Sequence, residues 1–423
     1  MGEQRIILPP PRGRGRDSEI LAELPSVLGL VLWQDVRHLR AWGESSEGVR
    51  GALFNPNPTS HVLAKRREAL AQAGELAGVL SDLRSVVLAP TSVDVQAVSS
   101  ACVQVVTWAL ERRYTQMAIE FAEAAAMVNQ TDPSLANLAG RVTRNATDFT
   151  RAEVWFNRGI GLSRVAHNRI ELVRGHLGYG ILCQEVGRIR AAMRHFNSGS
   201  RIAKKQGLEW LAAEVQHDVA LLHTARGRYA DARRHAQRAL NWYPKRHPRF
   251  PFFAADIALL LALDRNYALA GRIAKSVLRH MTQPSARAVI LALNARAAVG
   301  AGLVDELDPM RRRILRILKD HPEREAIALW HIAAAERLAG RWEAAAASGT
   351  HALELAHARG DRETAFHIER LLRKIRARKP APPPRPMRND AEFAAFIQTL
   401  ANRLSAWAPG GRGLTSLRAG WAA

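Results

Sequence analysis

The chain has 423 residues, 47% of them apolar, with 61 basic against 39 acidic residues and a formal charge of +22. That length and apolar content supply a real core and exclude a globally disordered polymer. Two cysteines, Cys102 and Cys183, exclude a disulfide framework, and neither sits in a pair or cluster with zinc spacing, so both read as buried thiols in a reducing cytoplasm. Arginine supplies 53 of the basic residues and lysine 8. Such a bias either attracts an anionic partner or follows from a GC-rich genome, and composition leaves both open.

Residues 1–16 combine a PPP run with RGRGR, which predicts an extended, mobile basic arm. No apolar core of signal-peptide length follows it. The longest purely apolar run nearby, VLGLVLW at 27–33, is too short to span a bilayer. Residues 17–90 read as a non-repeat helical region with a helix start or kink at Pro25 and a break at NPNPTS, 55–60. It contains no helix-turn-helix with a basic recognition helix.

From there the chain repeats. Aligned on the residue before a short turn, the segments RRYTQMAIEFAEAA (112–125), TDFTRAEVWFNRGI (147–160), GRIRAAMRHFNSGS (187–200), GRYADARRHAQRAL (227–240), RNYALAGRIAKSVL (265–278), GLVDELDPMRRRIL (302–315) and GRWEAAAASGTHAL (340–353) match one another. Their anchors lie 35, 40, 40, 38, 37 and 38 residues apart, the period of a solenoid. Apolar residues at helical spacing on both sides of each anchor predict two antiparallel helices per unit. In the best unit, Gly227 turns the chain, Ala232, Ala236 and Ala239 form a small-residue stripe for close helix approach, and Pro244 stops the second helix; Pro322 sits at another stop. The unit at 302 is the weakest, with Leu307 and Arg311 where small residues are expected.

Beyond the repeats, residues 363–378 predict an amphipathic helix that caps the array, completing a solenoid over 91–378. Residues 379–389 read as a proline-rich linker and 390–407 as an amphipathic helix with Phe393, Phe396, Ile397, Leu400 and Leu404 on one face and Asp390 as its cap; 408–423 reads as a flexible tail. Spacing leaves open whether that helix docks back on the array or onto a partner.

The positions Ala220, Gly227, Tyr229, Ala232, Ala239 and Pro244, with Ala333, Gly340, Trp342, Ala345 and Ala352, resemble the tetratricopeptide repeat (TPR) family over roughly 95–355. Most units here exceed the family period of about 34 residues. The family's mid-helix aromatic survives as Phe121, Phe156 and Phe196 but is Ala236 in the best unit. The resemblance implies an all-α fold, a right-handed α-α superhelix of about seven helix pairs, of the kind found in bacterial regulators and adaptors.

No HExxH, GxSxG, phosphate-loop or strand-linked GxGxxG pattern occurs, and the 15 histidines are dispersed, so neither enzyme chemistry, metal nor cofactor is expected. In arrays of the resembled family the first helix of each pair lines a groove. Carried onto this chain, the groove positions are Asn137, Arg141, Arg144, Asn145, Arg174, Gln184, His217, Arg296, Trp330 and Arg337, with Glu185 the one obvious carboxylate neighbour. Forked donors of this kind grip carboxylates and backbone carbonyls. They predict a cytoplasmic, non-enzymatic scaffold binding an extended or acidic protein segment; a nucleic-acid-associated basic repeat is the alternative, and no membrane contact is expected.

Overall fold

The computed structural model of the chain describes residues 17–54, 60–385 and 391–407. The basic arm, most of the break at 55–60, Asp390 and the tail at 408–423 therefore lie outside the described residues. Among those described, the only regular elements are helices, packed in adjacent pairs. The chain divides into two compact units, one holding the described residues up to Leu182 and the other those from Cys183.

The first unit starts with helices α1 (Asp17–Glu23), α2 (Val27–Glu44), α3 (Glu47–Arg50), α4 (Ser60–Ala73) and α5 (Ala77–Leu88). Pro25 does mark a boundary: α1 ends before it, and Ser26 opens α2 by accepting the Gly29 N–H at 3.1 Å. The pairs α6 (Val95–Glu111) with α7 (Thr115–Val128), and α8 (Pro133–Asn145) with α9 (Phe149–Val165), follow, and α10 (Arg169–Glu185) continues the chain. A single apolar core runs from Ile20 on α1 to Trp155 on α9. The N-terminal helices are thus part of the first unit's core, with α2 packed on α7 and α5 on α6. Glu23 receives the Gln116 and Met117 N–H groups at 2.8 and 3.0 Å, supplying from α1 the cap that α7 lacks locally.

The second unit contains α11 (Ile189–Lys205), α12 (Glu209–Ala225), α13 (Tyr229–Trp242), α14 (Phe250–Leu263), α15 (Tyr267–Leu278), α16 (Pro284–Gly300), α17 (Leu307–Asp320), α18 (Glu325–Leu338), α19 (Trp342–Arg359), α20 (Arg362–Arg376) and α21 (Ala391–Ser405). The alanine stripe works as the spacing predicts: Ala232, Ala236 and Ala239 are fully buried on α13 where it presses on α12. In the weak unit α16 packs directly on α18, and α17 makes few contacts beyond α16.

Every anchor turn has the same construction. Arg113, Thr147, Gly187, Gly227, Arg265, Gly302 and Gly340 all have positive φ. The N–H of the next residue reaches back five places to a carbonyl at 2.7 to 3.0 Å, as from Arg228 to His223. This is the Schellman closure, which satisfies orphan carbonyls at the helix end. It also corrects one register, because in the first unit the left-handed residue is Arg113, one place after the aligned Arg112.

The C-terminal elements wrap the outside of the second unit. Ile368, Leu372 and Ile375 of α20 are buried against α18 and α19. Residues 379–385 then pass along helix ends: the Lys379 carbonyl accepts from Arg337 at 2.6 Å, the Pro383 carbonyl from Arg265 at 3.1 Å, and Arg385 donates to Asp264 at 2.9 Å. Helix α21 buries Phe393, Phe396, Ile397, Leu400 and Leu404 against α14 and α15. Arg403 donates to the carbonyls of Leu240 and Tyr243 at the end of α13, at 2.6 and 2.7 Å.

Candidate binding groove

In the second unit α12, α14, α16, α18 and α20 lie side by side, each touching the next. Their facing sides, with Gln184 at the end of α10, line a groove open to solvent. Leu221, Leu259, Leu263, Val289, Leu293 and Trp330 make most of its wall apolar. Asp218, Asp256, His331, Glu363 and His367 interrupt that wall.

Each of the three carboxyl groups is already engaged. The Gln184 side-chain amide donates to both oxygens of Glu363 at 3.0 Å. Burial pushes the Glu363 carboxyl up to about 7 against that bond, and nearby Asp361 adds to the rise. Asp218 accepts from the Arg249 guanidinium at 3.2 Å. Asp256 lies 2.6 Å from His217 Nε2, and His217 Nδ1 lies 3.0 Å from the Tyr243 hydroxyl. Burial raises Asp256 well above the carboxylate range and lowers His217 to about 3.

Behind the Trp330 wall, outside the groove's lining, several cations gather. Trp330 stacks on His367 with centroids 5.4 Å apart, and the Arg296 guanidinium lies 5.7 Å from the Trp330 ring centre. Arg296 Nε and Nη1 and Arg337 Nε are buried without a hydrogen-bond partner. Burial lowers the Arg296 pKa, and the Arg337 charge adds to the fall. Lys374 is depressed by burial and then by Arg337, Arg370 and Arg296. His331 is 2% exposed and its Nδ1 has no partner. Burial holds it well below its usual value, reinforced by Arg296. His367 falls to about 4 by burial, with Arg370 and Arg296 contributing.

No family model and no curated protein matches the chain. The groove's chemistry must therefore be read from its own residues. Among the described residues no cluster of three or more metal-ligating side chains occurs, and no helix is long and apolar enough to cross a membrane.

The residues expected to line one continuous groove separate into two sets. Gln184 and Trp330 line it, His217 stands behind Asp256, Arg296 lies beside Trp330 without lining it, and Arg337 lies outside the lining and donates to the Lys379 carbonyl. Asn137, Arg141, Arg144, Asn145 and Arg174 belong to the first unit. Asn137 is buried and donates to the backbone carbonyl and side-chain carboxylate of Glu171 at 3.0 and 2.9 Å. Arg174 is exposed and paired with the same Glu171 at 2.6 Å. Arg144 is only 3% exposed and donates to the exposed Asn145 at 2.9 Å. The arginines 141, 144 and 174 do not form a free cationic patch, because one is neutralised by a carboxylate one helical turn away and another is packed inside the unit. Nor is Glu185 the one carboxylate near the groove. Sequence reasoning passed over Asp218, Asp256, Glu363, His331 and His367. A signal was present for Asp256, a single carboxylate in the otherwise apolar helix FPFFAADIALLLAL.

Proposed function

We propose that the chain is a non-enzymatic binding scaffold, a TPR-like right-handed superhelix of about seven helix pairs acting as an adaptor in the bacterial cytoplasm. Its groove in the second unit receives an extended segment of a protein partner, with acidic side chains directed toward Arg296. The observation that carries this reading is a mainly apolar groove built from successive first helices, with Arg296, whose buried donors have no partner, beside its Trp330 wall. Such a surface is the usual binding face of helical repeats. A photo-crosslinking residue in place of Leu259, inside the groove, is expected to yield a discrete adduct in cells. The same residue in place of Arg234, on the outer face of α13, is the control. Equal adducts from both positions, or none from Leu259, would refute the groove.

The net charge of +22 favours one second reading, association with nucleic acid. Filter binding across salt concentrations tests it: affinity that falls steeply with salt is the expected signature, and absence of binding at low salt removes it.

A further inference from the structure

We propose that the exposed face shared by α11 and α13 binds the phosphate backbone of a nucleic-acid duplex, with Arg190, Arg194, Arg201, Lys204, Lys205 and Arg238 as its phosphate contacts. This rests on the chain's association with nucleic acid, gives that association a place, and leaves the groove to a protein segment.

Positive charge is not spread evenly over the helices of the second unit. Helix α11, IRAAMRHFNSGSRIAKK, carries five arginines and lysines and no carboxylate, whereas the adjacent α12, EWLAAEVQHDVALLHTA, carries three carboxylates and neither arginine nor lysine. Ala192, Phe196, Gly199 and Ala203 turn one side of α11 inward. Its other side presents Arg190, Arg194, Asn197, Arg201 and Lys204, all exposed, with Lys205 exposed beside them. Steps of three and four residues keep side chains on one helix face, so these five form a single row about 21 Å long.

Helix α13 continues the face. Gln216 of α12 joins the two helices: its amide donates to the Ser200 hydroxyl on α11 at 3.1 Å, and its Oε1 lies 2.8 Å from Nδ1 of His235 on α13. Lys204 lies 5.1 Å from the centre of the Trp242 ring, and Arg238 is exposed one turn before that tryptophan. Arg233 and Arg234 of α13 are bonded to Asp264 and Asp231. None of the six proposed contacts forms an ion pair with a carboxylate among the described residues.

A row of unpaired cations suits a polyanion, and its surroundings choose which. None of the large apolar side chains exposed among the described residues belongs to α11 or α13. A protein interface has an apolar core and a helix lying on lipid inserts apolar side chains, whereas contact with phosphate is polar and strongly positive. Trp242 is half-buried with Lys204 over its ring, so the face lacks an exposed ring for unpaired bases to stack on, which favours a duplex over a single strand.

Fluorescence anisotropy of the full chain with a short DNA duplex, across salt concentrations, tests the proposal. Replacing Arg190, Arg194 and Arg201 together by Gln is expected to weaken binding at low salt at least about tenfold and to flatten the slope of log affinity against log salt by about 2 to 3. Exposed arginines contribute little to folding, and circular dichroism checks each variant. Arg201→Gln alone, expected to flatten the slope by about 1, serves if the triple variant is not helical. Replacing Arg312, Arg313 and Arg316, exposed on α17, by Gln removes the same charge elsewhere and is expected to leave the slope nearly unchanged. Equal losses in the two triple variants, or an unchanged slope in the α11 variants, would overturn the face and leave nucleic-acid association standing. No duplex binding by the parent at low salt would end both. Tighter binding of single-stranded RNA, or binding of phosphatidylserine vesicles but not duplex that is lost in the α11 variants, would overturn the duplex as occupant.

Discussion

Buried charge is handled differently in the Glu123 seam of the first unit and in the groove wall of the second. In the seam around Glu123 in the first unit, charge is matched by charge: Glu123 is fully buried and accepts from Arg151 Nε at 2.8 Å and from Trp155 Nε1 at 3.1 Å. Arg40 binds Glu120 beside it, and Arg66 binds the buried Asp35. In the second unit the groove wall leaves His331 with an unpartnered nitrogen and pushes Glu363 and Asp256 toward their neutral forms. A closed seam must neutralise charge internally, because neither water nor ligand reaches it. A wall facing a groove can leave that task to an occupant.

The sharpest way to break this comparison is to remove a charge from a closed seam. Glu123→Leu strands Arg151 and the Trp155 indole N–H, and is expected to cost about 3 to 5 kcal/mol in urea unfolding. A loss below about 1 kcal/mol would mean that the seam does not depend on charge matching. Close packing is next. A Cβ at Gly178 would clash with the Phe156 ring, so Gly178→Ala should destabilise by about 1 to 3 kcal/mol. Ala232→Leu should do the same in the second unit, where the stripe is fully buried. An unchanged denaturation midpoint in either variant would refute the helix approach at that point.

On the groove wall the expectation is a pH effect. Glu363 has its folded pKa raised from 4.5 to about 7, so the native state holds more protons than the unfolded chain between those values. Stability from this group is present below about pH 4.5, declines toward pH 7 and is level above it. Glu363→Gln should abolish that decline and gain about 2 kcal/mol at pH 8, after allowance for partial exposure. Parallel pH profiles of variant and parent would place the carboxyl in a more solvated setting. The smallest effect is expected at Arg174, an exposed partner of Glu171, where Arg174→Ala should change stability by under about 1 kcal/mol. A larger loss would show that the first unit relies on its surface pairs as well as its seams.

The helical pairing was legible in the sequence because it rests on local rules. Glycine or a tolerant residue must occupy a left-handed turn, alanine must fill close contacts, and proline must end helices; these placed Gly227, Gly340, the Ala232 stripe and Pro244 without tertiary information. Even the register shift at Arg113 is a one-residue error in a position where two arginines are adjacent. The site was less legible. Gln184 and Glu363 are 179 positions apart, and only packing of the intervening helices brings amide and carboxylate together. Composition likewise does not distinguish an arginine paired with Glu171 from one left without an acceptor beside Trp330. Helix periodicity decides which way a side chain faces, whereas its charge state and partners depend on distances across helices, and those exist only once the chain has folded.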